Sequence, residues 1–257
     1  MPPSFSDEAR ELISRMSNPN SGSMSPSIYD TAWLSIIPSQ VSPETWLFPE
    51  CFEFVLNSQL ETGGWHSYAS HVDGILNTSA ALLSLKLHLH HDKYHSDWIH
   101  RSQKAQKALK DMLLNWDVAS TDQVGFEILT VKLLTMLEAE GVDVTFPQYE
   151  KLRSVYHKKL GQLPASGVYE APSTLYHSLE ALIGHVDFVR LKRWQEPNGS
   201  MMGSPSSTAA YLMYSTEWDH DAECYLRTVL EHGPGQGNGS VPSAWPTSIF
   251  ESAWVSR

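Results

Sequence analysis

Apolar residues recur along this chain at helical spacing, and the breaks between the apolar runs carry the residues that end and start helices. Residues 126–139 (FEILTVKLLTMLEA) are strongly apolar and stop at Gly141, a common C-terminal signal. Pro49 suits the first turn of a helix reaching about Leu60, within which Phe52, Val55, Leu56 and Gln59 share a face. Long helical patterns cover about 73–91 and 97–115. Further helices are expected at 7–17, 147–160, 173–183, 186–195, 206–216, 219–232 and 246–256, and a short segment from Tyr29 closes at Pro38. Residues 18–28 (NPNSGSMSPSI) read as a linker. Nothing alternates convincingly with the period of two that a sheet requires, so the expected class is all-α.

A repeat sharpens that class. Gln59-Leu-Glu-Thr-Gly63-Gly-Trp65 has the form Q-x3-G-x-W, and Gln195-Glu-Pro-Asn-Gly199-Ser-Met201 keeps it with Met for Trp. Each copy lies between two expected helices. A side-chain amide there can satisfy free backbone groups, and glycine lets the chain turn. The copies read either as ordinary helix–glycine–helix corners or as parts of an α/α barrel of helical hairpins.

Composition narrows the function. The 257 residues hold 18 Lys+Arg against 29 Asp+Glu, a net charge of −11, which repels nucleic-acid backbones. No run of 18 apolar residues occurs, so no transmembrane segment is expected. The start, MPPSFSDEARELISRM, lacks the apolar stretch of a secretory signal, so the expected location is cytoplasmic. Cys51 and Cys224 cannot build a disulfide framework. Asn77-Thr-Ser, Asn198-Gly-Ser and Asn238-Gly-Ser match the glycosylation sequon and read as chance in that setting. Nine tryptophans point to large packed surfaces or an apolar cavity.

Four groups can carry chemistry. His88, His91, Asp92 and His95 fall at i, i+3, i+4 and i+7, one face of a continuous helix, and read as a metal site or as a solvated helix end. His177, in a helix whose apolar arc is Leu175, Tyr176, Leu179, Leu182 and Ile183, falls on the opposite side with Glu180 and Ala181; it faces solvent or lines a cleft, where a neutral imidazole accepts a proton. Asp117, Asp122 and Glu127 either hold Mg²⁺ or cap a helix. Ser206, Ser207 and Thr208, in Ser204-Pro-Ser-Ser-Thr-Ala209, either cap a helix or bond a diphosphate at its N-terminus.

The motifs, in order, resemble class II diterpene cyclases, with fungal copalyl diphosphate synthase/ent-kaurene synthase enzymes the nearest type. They are Ser27-Ile-Tyr-Asp-Thr-Ala-Trp33, Asn57-Ser-Gln-Leu-Glu-Thr-Gly-Gly-Trp65, Ile75-Leu-Asn-Thr78, Gly125-Phe-Glu127, Ser173-Thr-Leu-Tyr-His-Ser-Leu-Glu180, Gly203-Ser-Pro-Ser-Ser-Thr-Ala209, and Gly239-Ser-Val-Pro242 with Trp245-Pro-Thr-Ser-Ile-Phe-Glu-Ser-Ala-Trp254. The resemblance implies three regions: 1–24, a first β-domain helix and linker; 25–243, a γ-like helical domain; and 244–257, the return into a β domain. It implies cyclisation of geranylgeranyl diphosphate to copalyl diphosphate, begun by an aspartic acid of a D-x-D-D motif and ended by proton loss to a base, with β and α domains as the missing partners and Mg²⁺ in the complete enzyme.

The D-x-D-D and D-D-x-x-D motifs do not occur in this sequence. The chain is therefore expected to be a fragment that does not cyclise alone, with a truncated helical scaffold or prenyl-ligand-binding domain as the alternative. A protein-prenyltransferase-like barrel, suggested by Gly63-Gly64-Trp65, is a further reading and would need zinc. By resemblance, His177 matches a histidine that holds the water acting as terminal base. Its asparagine partner in a P-N-V motif is replaced, since Ser243 follows Pro242. Ser206, Ser207 and Thr208 are carried as substrate-binding residues, and Asp117 and Asp122 as what remains of an acidic Mg²⁺ motif.

Overall fold

The computed structural model describes residues 21–42, 44–162 and 167–255; the helix expected at 7–17 lies outside them. The described chain opens with β1 (Pro26–Ser27), then α1 (Ile28–Ser35), α2 (Pro49–Asn57), α3 (His71–His91), α4 (Ser96–Leu114), α5 (Phe126–Ala139) and α6 (Tyr149–Gln162). A short α7 (Gly167–Glu170) leads to a 3₁₀ segment, Thr174–Leu182. Then come α8 (Phe188–Leu191), α9 (Pro205–Tyr214), α10 (His220–His232), β2 (Val241–Pro242) and α11 (Ser248–Val255). The expected all-α class holds: among the described residues the only named strands are β1 and β2, a two-residue antiparallel ribbon pairing Pro26 with Pro242 and Ser27 with Val241.

The helices form two concentric layers. Helix α1 packs on α3, α3 on α5, α5 on the 3₁₀ segment, that segment on α9, and α9 back on α1. This closes an inner ring of five elements. Four of them carry an outer helix: α2 on α1, α4 on α3, α6 on α5 and α10 on α9. The inner elements bury residues on nearly every side, as in Ile75, Ala81, Leu82 and Leu85 of α3, whereas the outer helices bury a stripe, as in Ala222, Leu226 and Val229 of α10. A helix apolar all round belongs in the interior and an amphipathic one at the rim, so the burial pattern follows the layer.

The repeated motif proves to be a corner of fixed geometry. In the first copy Gln59 Nε2 donates to Gly63 O (2.8 Å), and in the second Gln195 Nε2 donates to Gly199 O (2.8 Å). Both glycines have positive φ, and a Cβ on either would strike a carbonyl of an outer helix, Lys104 O at 2.5 Å or Asp221 O at 2.1 Å. The following apolar residue is buried, and its amide donates to an inner-helix threonine: Trp65 N to Thr78 Oγ1 (3.2 Å) and Met201 N to Thr208 Oγ1 (2.9 Å).

A third corner, not recognised in the sequence, shares the glycine, the apolar residue and the threonine but has Gly235 in place of the glutamine. Gly239 has φ +90, presses on Glu50 O, and is followed by Val241, whose amide donates to Thr31 Oγ1 (3.1 Å). Asn238 Oδ1 accepts from the amide and hydroxyl of Ser240, as Asn198 Oδ1 does from Ser200. The two Asn-Gly-Ser stretches that matched a glycosylation sequon thus build these corners. Asn77, in the remaining match, is buried and donates to His66 O.

Two expected helices take another form. Residues 173–183 are 3₁₀ rather than α, with non-helical angles at Ser178 (φ −144, ψ 45). The stretch at 186–195 is divided between α8 and a 3₁₀ turn at Lys192–Trp194. With about three residues per turn the apolar arc drawn at 100° no longer applies, and Glu180 and Ala181 are buried along with Leu179 and Leu182.

Candidate active site

The capping residues of α1 and α9 bring a set of polar groups into the ring. Ser27 caps α1, its Oγ accepting from Asp30 N and donating to Asp30 Oδ2 (2.6 Å). Ser204 caps α9 by accepting from Ser207 N, and Pro205 takes the first helical position, where no amide is needed. Because α9 packs on both α1 and the 3₁₀ segment, its first turn links them. Ser206 N donates to Asp30 Oδ1 (3.2 Å) and Ser206 Oγ to Glu180 Oε1 (3.4 Å). Tyr29 Oη donates to the same Glu180 oxygen at 2.9 Å.

Two carboxyl groups are therefore buried together, Asp30 at 3 % and Glu180 at 2 % exposure. Burial pushes the Glu180 carboxyl up to about 8, and the Asp30 charge adds to this against the hydrogen bonds from Tyr29 and Ser206. Burial also raises Asp30, while hydrogen bonds from Ser27 and Ser206 and the nearby His177 pull it back. Burial thus favours the protonated form of both carboxyl groups. Glu180 Oε2 is buried with no protein partner among the described residues. Neither the burial of Glu180 nor its link to Asp30 was read from the sequence.

His177 lies three residues before Glu180 and is half-buried, and its charge, when present, favours the ionised form of Asp30. Ser243 follows the β2 strand that pairs with β1; it is half-buried, and its Oγ lies 3.0 Å from Met24 Sδ. The hydroxyls of Ser206, Ser207 and Thr208 all turn into the protein. Ser207 Oγ donates to Tyr176 O (2.5 Å) and accepts from Leu179 N (2.9 Å), and Thr208 Oγ1 donates to Ser204 O (2.7 Å). A cleft of about 340 Å³ beside the start of the 3₁₀ segment is lined by Ser173, Tyr176, Arg193 and Trp194.

The expected histidine site does not assemble. His88 is buried in the core, its ring stacked on Phe52 (3.5 Å between centroids) and on Trp46 (4.5 Å), with Nδ1 against Ser84 O. His91 meets Trp46 edge-on, Asp92 ends α3, and His95 caps α4 and stacks on Trp98. The helical face is real, but it is an aromatic seam between α2, α3 and α4. Asp117 Oδ1 accepts from Ala119 N and caps a 3₁₀ turn, while Asp122 is exposed on the following loop. Glu127 is turned inward and pairs with Lys159 Nζ at 2.8 Å. Among the described residues no three His, Cys, Asp or Glu side chains are placed to share a metal. Asp117 and Asp122 line one cleft of about 260 Å³ with Asn115 and Ser120, two carboxylates beside neutral oxygen donors. Among the described residues no helix is long and apolar enough to cross a membrane.

No protein-family model matches the chain. It is 48 % identical over 240 residues to a copalyl diphosphate synthase of Talaromyces verruculosus, covering 91 % of this chain and 25 % of the relative. It is 40 % identical over 265 residues to an ent-kaur-16-ene synthase of Phaeosphaeria sp., covering 97 % and 28 %. Its fold is similar to that of ent-copalyl diphosphate synthase from Arabidopsis thaliana, solved in complex with (S)-15-aza-14,15-dihydrogeranylgeranyl thiolodiphosphate, with a TM-score of 0.78, 26 % identity, and coverage of 98 % of this chain and 35 % of that one.

The chain has the helical fold of terpene cyclases and is homologous to diterpene cyclases of the fungal copalyl diphosphate synthase and ent-kaurene synthase type. It spans about a quarter of the length of the curated relatives it matches.

Proposed function

We propose that this chain supplies the γ-domain side of a class II diterpene cyclase pocket, with residues 25–243 as that domain and 244–257 as the return toward a β domain. The substrate in this reading is geranylgeranyl diphosphate, and the product is a copalyl diphosphate. The acid that protonates the terminal alkene belongs to a D-x-D-D motif, which this sequence lacks, so it comes from outside the 257 residues. The chain carries the closing half of the reaction. A water held by His177, with Ser243 where plant enzymes have asparagine, takes a proton from a carbon beside the bicyclic cation. The C–H electron pair becomes the new alkene, and the diphosphate stays intact.

The observation that carries this reading is the half-buried His177, three residues before the buried Glu180 that Ser206 links to Asp30. A carboxylate near an imidazole stabilises the cation formed when the imidazole takes a proton. In the same reading the hydroxyls of Ser206, Ser207 and Thr208 shape this site from within rather than bond the diphosphate, because each has an internal partner. The cytoplasm is the working compartment, and the β and α domains are the partners.

The test joins the chain to the remaining three quarters of the Talaromyces verruculosus relative. With geranylgeranyl diphosphate the joined protein is expected to yield a copalyl diphosphate, and the chain alone none. Product from the chain alone, or undiminished product after His177→Ala in the joined protein, defeats the reading. An inactive joined protein that still folds supports a non-catalytic scaffold instead.

A further inference from the structure

His177 stands in the turn between Tyr176 and Leu179, and the hydroxyl that spans this turn comes from α9. In an unbroken 3₁₀ helix the amide of Leu179 would donate to the carbonyl of Tyr176, closing the turn that contains His177 and Ser178. Ser178, inside that turn, has non-helical angles (φ −144, ψ 45). The Ser207 hydroxyl donates to Tyr176 O at 2.5 Å and accepts from Leu179 N at 2.9 Å, so one oxygen from α9 bridges the two ends of the distorted turn.

Both backbone groups have that partner only while the hydroxyl stays. Ser207 is fully buried, and its own amide is tied to the Ser204 cap. One residue earlier, Ser206 reaches Glu180, on the far side of the same turn. Consecutive serines of one helix end therefore hold the backbone on both sides of His177. A hydroxyl can play this part because it donates and accepts at once; a methyl group or a carboxylate cannot. Without it the two backbone groups must find other partners, and the turn swings His177 to a new direction.

We propose that Ser207 is the positioning residue of His177, holding the imidazole in line by bridging Tyr176 O and Leu179 N with its own hydroxyl. This rests on the reading of His177 as the group that receives the final proton, but the placement of the ring can be tested apart from that reading.

The experiment is carbon–proton NMR of the histidine rings in the 257-residue chain, with amide exchange at Leu179, for Ser207→Ala, Ser207→Cys and Ser207→Thr. Cysteine keeps the size and loses the strong hydrogen bonds, and threonine keeps the hydroxyl. The alanine and cysteine variants are expected to move the His177 ring signals, leave those of His66 and His71 in place, and speed Leu179 exchange by about tenfold or more. The threonine variant should keep both near the parent. An unmoved His177 in a folded alanine or cysteine variant overturns the proposal, and so does a uniform shift of all three histidines. If alanine prevents folding, the comparison of cysteine with threonine decides in the same way.

The joined protein separates the two claims. If His177 moves in Ser207→Ala but product formation does not depend on His177, the positioning stands and the proposed base does not. If product depends on His177 while its ring ignores Ser207, the reverse holds.

Discussion

Asp30 and Glu180, from opposite flanks of α9, are joined through Ser206, which gives its amide to one carboxyl group and its hydroxyl to the other. Two carboxyl groups held this way in the interior cannot both be charged without cost, and burial loads the proton onto Glu180.

Stability should therefore respond to pH through Glu180. Its folded-state value, about 8, lies above the ordinary 4.5. The favourable contribution is complete below the unfolded value and is lost as pH climbs from about 4.5 toward 8. Urea unfolding at pH 5 and pH 8.5 should show a decline that Glu180→Gln reduces by a few kcal/mol, because glutamine keeps the acceptor oxygen and has no proton to lose. An unchanged pH slope in that variant would mean that Glu180 is already ionised at neutral pH.

His88 works in the opposite direction. Burial among aromatic rings brings it down from 6.5 to about 4, so the folded chain prefers the neutral ring. The unfolded chain takes up a proton first, and stability falls as pH drops from about 6.5 to 4. The loss amounts to about 3 kcal/mol over that window. Thermal melts of His88→Phe should be flatter with acid than those of the parent, at whatever cost the altered packing brings near pH 7.

The corner glycines allow a cleaner comparison. Gly199 and Gly184 both have positive φ (+88 and +85), but a Cβ on Gly199 would lie 2.1 Å from Asp221 O, while one on Gly184 would meet nothing within 4 Å. Gly184→Ala should cost only the strain of the backbone, about 1 kcal/mol. Gly199→Ala should cost about 3 kcal/mol or more, since α10 must also move away. Equal costs in chemical denaturation would show that the seat of Gly199 on α10 is unimportant.

Lys159 holds Glu127 from the next outer helix, with the lysine half-exposed and the glutamate nearly enclosed. Lys159→Met should destabilise the chain by about 1–3 kcal/mol, because the buried carboxylate loses its partner. Adding Glu127→Gln should recover part of that, and a double-mutant cycle at pH 7 measures the coupling.

Much of the fold is visible in the pattern of apolar positions. Helix α5 falls at 126–139 as expected, and α3 and α4 are met within two residues, because long periodic runs with end signals leave few alternatives. The 173–183 stretch departs from the expected α-helix, since its distinguishing feature is a hydroxyl supplied from α9 and nothing local announces it. His88 resembles a ligand because helical spacing shows which residues share a face but not what faces them; its ring partners come from Trp46 and Phe52. The third corner is detectable by aligning Asn198-Gly-Ser with Asn238-Gly-Ser, which puts Met201 and Val241, the next apolar residues, in register. Glu180 has no such cue, because the groups that enclose it come from α1 and α9.

The corner threonines also act as keys. Thr31, Thr78 and Thr208 each lock the rotational phase of one inner spoke, since turning α1, α3 or α9 about its axis would withdraw the hydroxyl from the amide it receives. The 3₁₀ spoke holds no threonine in such a lock. It is tied instead by Ser207, next to the Thr208 key of the neighbouring spoke, so the two spokes share one helix end as their common latch.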